Sequence, residues 1–182
     1  MESRGNSNGC TGGSDTFAST LHWGPAYDQN RYTLTHEEYK HTESLGNAFH
    51  TYGLLWTPER LITYIDSEEN IVLDVDMSVE SMWEFGGFQN VDNPWKGGPM
   101  NAPFDQEFYL IFNVAVGGTN GYFPDGQCGK PWSDKSTTTA NDFYNSKAAW
   151  YPSWNYPASN DAALKIDSVK VWSLDNTEIY SK

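Results

Sequence analysis

Short runs of mainly apolar residues, separated by polar stretches, dominate the chain, and such runs are typical of β-strands. The runs are rich in β-branched and aromatic residues and are bounded by Gly, Pro, Asn and Asp. Helical periodicity is scarce, and no internal repeat is visible. The pattern therefore predicts a mainly β protein with strands at residues 17–24, 50–57, 61–66, 71–76, 107–116 and 163–174.

One pair of these runs predicts a hairpin. The β-rich stretch that ends at Asp66 is followed by the polar residues 67–70 and then by the apolar run Ile71, Val72 and Leu73. A polar loop of four residues between two such runs is a common hairpin connection. This feature is structural and needs no functional explanation.

Two long stretches fit neither a strand nor a disordered linker. Residues 82–105 and 117–154 are rich in Gly, Pro and Trp. Long ordered loops of this kind are usually functional. Many short strands with two long aromatic loops predict a β-sandwich whose loops form the walls of a groove.

The composition of the chain limits the classes of binding partner that it can have. The 182 residues suit one domain, and a formal net charge of -13 argues against nucleic acid or an anionic membrane as partner. Aromatic residues make up 15% of the chain. Tyr and Trp combine a flat apolar face with a polar group, which suits sugar rings, although any single aromatic is more readily explained as a strand core residue. No apolar run is long enough to span a membrane, and we expect a monomer.

The chain contains two cysteines, Cys10 and Cys128. They permit one disulfide but do not require it. Composition alone does not indicate whether the protein resides in an oxidising or a reducing compartment.

Six motifs carry a family resemblance. In chain order they are MESRGN, STLHWGP, FHTYGLLWT, APFDQEFYLIFNVAVGGTNGYFPDG, KPWS and ALKIDSVKVW. Together they resemble the laminarinase branch of glycoside hydrolase family 16, which includes animal β-1,3-glucanases and invertebrate lipopolysaccharide- and β-1,3-glucan-binding proteins. The resemblance implies a concanavalin A-like jelly roll with a glucan-binding groove. It also implies that residues 1–182 form a partial domain that begins inside the catalytic strand and is incomplete at its N-terminus.

The same resemblance points to a catalytic residue. In the family the catalytic strand carries E-x-D-x-x-E, and only the final Met1-Glu2 pair of that motif stands in this sequence. A retaining glycosidase needs two carboxyl groups about 5 Å apart, one as nucleophile and one as acid and then base. The resemblance makes Glu2 the acid/base and places the nucleophile upstream of the chain.

Five residues are candidates for sugar contacts. His22 lies on a predicted strand, and the family resemblance implies that this strand is next to the catalytic strand. In a regular strand, Trp23 would then point to the opposite face of the sheet. Asn113 interrupts an apolar strand, where a groove-facing amide explains a polar side chain better than a core position does. The long loops contribute Trp83, Trp95 and Trp132, of which one or two are expected to stack on glucose units.

No cofactor is required for the chemistry, but a structural calcium ion is an open possibility. Asp167 matches the aspartate on the last strand that binds calcium in many family members, with the other ligands expected from the upstream part of the domain. Hard oxygen ligands suit calcium, whereas an aspartate at a strand edge is more often only a surface charge.

The resemblance leads to two hypotheses of different class. The first is a retaining endo-β-1,3-glucan hydrolase that acts on laminarin-like or fungal wall glucan, and the intact Glu2 favours it. The alternative is a non-catalytic protein of invertebrate innate immunity that recognises β-1,3-glucan or lipopolysaccharide. An unrelated acidic lectin is a third, weaker reading. A polymer that is met outside cells implies a secreted protein.

Overall fold

The structure is a computed structural model that describes residues 1–7, 10–174 and 178–181. The chain forms two compact units: the first unit consists of Met1–Gly5 and Gly12–Tyr109, and the second unit consists of Asn6–Thr11 and Leu110–Lys182. Every sheet is antiparallel and the helices are short, so the predicted all-β class is confirmed. Within the described part of the chain, no helix has the length and apolar character needed to cross a membrane.

The first sheet pairs β1 (Thr16–Thr20) with β2 (His36–Lys40), in register from Thr16 opposite Lys40 to Thr20 opposite His36. Glu2 adds a single bridge to Ala18 on the other edge of β1, and the two residues exchange backbone hydrogen bonds of 2.8 Å. The predicted strand 17–24 is too long at its C-terminal end. The chain leaves the sheet after Thr20 because Trp23 turns into the core, where it is 4% exposed.

The second sheet contains β3 (Tyr52–Trp56), β4 (Arg60–Ile65) and β5 (Ser67–Asp76) in that order. The predicted hairpin is confirmed, but its turn is tighter than four residues. Ile65 pairs with Ser67, and Asp66 reverses the chain with a φ of 61°, which aspartate tolerates better than most residues. The polar residues 67–70 belong to β5, where the register is irregular.

The Asp66 turn is held by its own carboxylate. One oxygen accepts the Thr51 amide at 2.9 Å, and the other contacts Nδ1 of His50 at 2.8 Å. Burial by itself raises the pKa of Asp66, but the hydrogen bonds from His50 and Thr51 and the nearby His charges outweigh it and lower that pKa. The carboxylate thus stabilises a backbone conformation that the turn demands.

The two sheets of the first unit pack face to face. The Thr63 hydroxyl donates to the Ser19 hydroxyl across the interface at 2.7 Å, and the Phe17 ring meets the Tyr52 ring edge-on at 5.1 Å. This is the sandwich arrangement that the strand pattern predicts. The core of the first unit continues beyond the sheets and consists of Trp23, Leu61, Leu73, Val75, Met77, Met82, Phe88 and Phe104.

The stretch 82–105 closes one side of that core. It begins with the helix α1 (Met82–Phe85), which Ser81 and Glu84 start with a capping box. Phe104 then ties the end of the stretch to β3, because its carbonyl accepts the Trp56 indole N–H at 3.1 Å. The predicted loop is therefore ordered, and part of it is core.

The second unit is built differently. It contains α2 (Thr139–Asn145), α3 (Lys147–Trp150), a 3₁₀ turn at Tyr151–Trp154 and a small sheet of β6 (Lys170–Trp172) and β7 (Glu178–Ser181). None of its described apolar residues is fully buried. A chain of ring contacts runs through Phe123, Trp132, Phe143, Trp150 and Trp154. A disulfide joins Cys10 to Cys128, the option that the two cysteines left open.

Two strand predictions fail in this part of the chain. Residues 107–116 form no strand and expose their apolar side chains, and only Lys170–Trp172 of the predicted strand 163–174 is regular. A strand needs a hydrogen-bonding neighbour, and no described strand pairs with 107–116. A sequence that favours a strand does not by itself supply that neighbour.

Candidate functional site

The stretch 81–102 folds into a pocket on the first unit. The Asn93 side-chain oxygen accepts a hydrogen bond of 2.8 Å from the Trp95 backbone amide. The Gly98 amide donates a hydrogen bond of 2.9 Å to the Trp95 carbonyl. Together these bonds fold the tip of the loop back on itself. The Met82 amide donates to the Met100 carbonyl at 3.2 Å and fixes the far side of the loop to α1.

Two of the predicted tryptophans line this pocket. Trp83 and Trp95 meet edge to face, with ring centroids 5.9 Å apart and planes at 81°. Both rings also touch Phe88, at 4.9 and 6.1 Å, and both pack against the core. The cavity volume is about 190 Å³. The pocket therefore has indole walls whose positions are set by the core behind them.

Polar groups stand beside the indoles. Ser81, Asn93 and Lys96 line the same cavity, and Gly97, Gly98 and Pro99 complete much of its rim. The Lys96 side chain makes no hydrogen bond or ion pair with the residues that the structure describes. The sequence signal for these polar residues was weak, because Asn-Pro-Trp-Lys-Gly-Gly reads only as a turn.

Glu2 lies at the edge of the first sheet. Its side chain is exposed, and the strand register places it on the same face of the sheet as Ala18 and Glu38. Arg4 forms an ion pair of 3.5 Å with Glu38. Glu2 and Glu38 make this face charged, and none of the residues that line the tryptophan pocket lies on it.

His22 is exposed and lies past the end of β1 rather than on a strand. Its Nδ1 meets the Asn30 side-chain amide at 3.0 Å, and its ring lies 5.5 Å from that of Tyr32. Trp23 points the other way, into the core. The side chains of His22 and Trp23 therefore point in different directions, as expected, although a turn and not a regular strand separates them.

Trp132 belongs to the second unit. Its indole N–H donates to the Gly118 carbonyl at 2.7 Å, and the Lys130 ammonium lies 5.3 Å from its ring centroid. Lys130 is itself clamped between Asp125, at 2.6 Å, and Asp134, at 2.5 Å. Hydrogen bonds from Lys130, Ser133 and the Asp134 amide lower the pKa of Asp125 to about 2. The indole is thus held by a dense local network.

Asn113 and Asp167, the remaining predicted site residues, are both exposed on segments without regular structure. Within the described residues there is no group of three or more His, Cys, Asp or Glu side chains that could hold a metal ion. The side chains around Asp167 do not by themselves form a calcium site, and calcium binding there stays a prediction.

Comparison with known proteins identifies the relatives. The chain is 44% identical over 183 residues to the β-1,3-glucan-binding protein of Penaeus monodon, an alignment that covers 98% of this chain and 49% of that protein. It is 31% identical over 170 residues to β-1,3-glucan-binding protein 1 of Manduca sexta, covering 91% of this chain and 34% of the relative. Both of these relatives are named β-1,3-glucan-binding proteins.

A third relative carries a different name. Gram-negative bacteria-binding protein 1 of Drosophila melanogaster is 35% identical over 137 residues, which is 72% of this chain and 24% of that protein. The chain spans about half the length of the Penaeus monodon relative and less of the other two. No protein-family model matches the sequence, and no solved structure matches it.

These relatives overturn the hydrolase prediction. They are named for binding glucan or bacteria, and none of the three is named as a hydrolase. The enzyme prediction was wrong because it rested on one retained carboxylate, Glu2, and a carboxylate at a single position does not distinguish a hydrolase from a binding protein of the same fold. The assignment of Glu2 as acid/base was part of the same prediction.

Proposed function

We propose that this protein recognises β-1,3-glucan without cleaving it, as a secreted protein of invertebrate innate immunity with a family 16-like sandwich. The observation that carries the proposal is the pocket of Trp83 and Trp95 on the first unit. The names of the relatives support the ligand class, since most of those quoted above are glucan-binding proteins.

The chemistry of the pocket suits a neutral sugar. A pyranose ring offers axial C–H groups to an indole face and hydroxyls to polar side chains, and indoles combine a large apolar surface with a polar edge. Because Trp83 and Trp95 meet at 81°, one sugar ring can lie flat against only one of them while the other touches its edge. Ser81 and Asn93 supply hydroxyl and amide partners in the same cavity.

The pocket is also held in place before any ligand arrives. Trp95 is fixed by the Asn93 side chain and by its contacts with Phe88 and Trp23. Side chains that are already immobilised lose little entropy on binding, which raises affinity. The disulfide between Cys10 and Cys128 supports the proposed extracellular location, because such bonds persist in oxidising compartments.

The test replaces one wall of the pocket. We expect Trp95→Ala to weaken binding of a β-1,3-linked glucose hexasaccharide by about tenfold or more, equivalent to about 1.4 kcal/mol, measured by calorimetric titration. The matched control is Trp172→Ala, which removes a tryptophan that is 53% exposed in the second unit. Circular dichroism establishes that both variants are folded.

Two outcomes contradict the proposal. One is unchanged hexasaccharide affinity in a folded Trp95→Ala protein, which removes the pocket as the binding site. The other is release of reducing sugars from β-1,3-glucan by the unmodified protein, which removes the distinction between recognition and hydrolysis.

A further inference from the structure

We infer that the segment 22–35, here called the tyrosine loop, is a second glucan-contacting surface that makes affinity depend on chain length. The inference rests on the proposed function and extends it from one pocket to a longer site. Its carrying observation is a rigid loop that presents Tyr27 almost wholly to solvent.

The tyrosine loop is closed at its base. The Arg31 amide donates to the Trp23 carbonyl at 2.8 Å, and the Leu21 amide donates to the Thr35 carbonyl at 3.0 Å. The buried Thr35 hydroxyl accepts the Trp23 indole N–H at 2.9 Å. A compact surface loop whose ends meet in this way is an Ω-loop, a class that frequently carries function.

The interior of the loop is fixed as well. The Asn30 side-chain oxygen accepts the amides of both Trp23, at 3.3 Å, and Tyr32, at 3.0 Å. Gly24 has a φ of 152°, and a Cβ at this position would come within 2.3 Å of the Gln29 carbonyl oxygen. The loop therefore passes so close to itself that only glycine fits at this point.

Both tyrosines of this rigid loop face outward, whereas Trp23 at its base points into the core. Tyr27 is 98% exposed, and Tyr32 and Leu34 are 42% and 47% exposed. Folding gains almost nothing from a side chain as exposed as Tyr27, whereas a tyrosine on a fixed backbone provides a large amphipathic contact surface at low entropic cost. The exposed aromatic surface thus fits a ligand that is flat and partly apolar.

The polar side chains favour a neutral ligand. Asp28 and Gln29 follow Tyr27, and His22 lies against Tyr32 and Asn30, so carboxylate, amide and imidazole groups surround the rings. The loop's arginine, Arg31, is used inside the protein, where it donates to the Gly86 carbonyl at 2.7 Å and covers the Phe88 ring at 4.6 Å. Hydroxyl groups of a neutral saccharide match these donors and acceptors.

The tyrosine loop and the tryptophan pocket are physically joined. Trp23, at the base of the loop, contacts Trp95 of the pocket with centroids 6.4 Å apart and stacks on Phe85 of α1 at 5.8 Å. On this inference one polymer touches both surfaces, and the second contact then forms within the same complex at a high effective concentration. A short saccharide that fills only the pocket gains nothing from Tyr27.

The experiment compares two ligand lengths. We expect Tyr27→Ala to weaken binding of a β-1,3-linked glucose decasaccharide by about fivefold or more, while affinity for the disaccharide changes by less than about twofold. Trp95→Ala should weaken both ligands. The matched control is Tyr109→Ala, which removes another tyrosine of the first unit that is 83% exposed but lies off the loop.

Each result has one reading. Wild-type decasaccharide affinity in both Tyr27→Ala and the Tyr27→Ala/Tyr32→Ala double variant overturns the tyrosine loop as a contact surface, and an equal loss for both ligand lengths overturns the length dependence. If only Trp95→Ala weakens saccharide binding, the proposed function is supported and the extension to the tyrosine loop is not. An unmodified protein that binds neither saccharide overturns the proposed function, and the extension with it.

Discussion

At the scale of single residues, a dense electrostatic network surrounds Lys130 in the second unit. The Lys130 side chain is only 4% exposed, and its ammonium group contacts two carboxylates and the Phe123 carbonyl. Burial lowers the pKa of Lys130, but the hydrogen bonds that its ammonium group donates to Asp125 and Asp134 outweigh it and raise that pKa. A lysine and an aspartate that hold each other in their charged forms make the surrounding loop sensitive to acid.

We expect the stability of the second unit to fall as the pH drops from about 4 to about 2. The folded-state pKa of Asp125 is about 2, below its ordinary 3.8, so its contribution is fully present above the ordinary value and is lost as the pH approaches the folded value. Asp125→Asn should lower the melting temperature near neutral pH, and the gap to the wild type should narrow below pH 4. The measurement is thermal unfolding across that range.

The control for this prediction is Asp105→Asn, because Asp105 is exposed and makes no hydrogen bond or ion pair with the described residues. A gap between the wild type and Asp125→Asn that stays constant down to pH 2 would contradict the assignment of the acid-sensitive step to Asp125.

At the scale of elements, the end of β1 decides where the candidate site lies. After Thr20 the chain turns so that Trp23 enters the core, and the Thr35 hydroxyl satisfies its indole N–H. The same hydroxyl donates to the Leu21 carbonyl at 3.1 Å. Thr35 is 1% exposed, so one buried side chain closes the tyrosine loop and supports the tryptophan pocket behind it.

We expect Thr35→Val to destabilise the protein by about 1–3 kcal/mol, because valine matches the shape but leaves the buried Trp23 N–H without its acceptor. Thr33→Val is the matched control, since Thr33 is exposed on the same loop. Urea unfolding measures both. Equal midpoints for the two variants would mean that the hydroxyl of Thr35 contributes nothing specific.

At the scale of the whole molecule, the two units are stabilised in different ways. The first unit has a continuous apolar core of eight residues, whereas no described residue of the second unit is fully buried. The second unit depends on ring contacts, the Lys130 network and the disulfide. The disulfide between Cys10 and Cys128 joins residues that are 118 positions apart, so it restricts a long loop of the unfolded chain.

We expect the Cys10→Ser/Cys128→Ser double variant to lose up to about 4–5 kcal/mol of stability, the value that the chain-entropy argument gives for a loop of this length. Urea unfolding with and without a reducing agent provides the measurement. The reducing agent should shift the wild-type midpoint toward that of the variant and leave the variant unchanged. A wild-type urea midpoint that is the same with and without the reducing agent would show that the disulfide adds no stability.

The sequence by itself determined the features that depend on near neighbours along the chain. Leu73, Val75 and Met77 are buried, while Asp74 and Asp76 between them are exposed, as the alternation in β5 predicts. The hairpin and the all-β class follow from the same rule, because successive side chains of a strand point to opposite faces whatever they contact. The stretch 82–105 was recognisable for a similar local reason, whereas the predicted loop 117–154 contains α2 and α3, which its residue pattern did not indicate.

Only the tertiary structure decided which residues meet. It placed Trp83 and Trp95 against each other and Trp132 in another unit, although all three looked alike as loop tryptophans. It ended β1 before His22 and left 107–116 without a strand partner, although the residue types of both segments favour a strand. Pairing, burial and pocket formation depend on groups that are distant in sequence, and local periodicity contains no information about them.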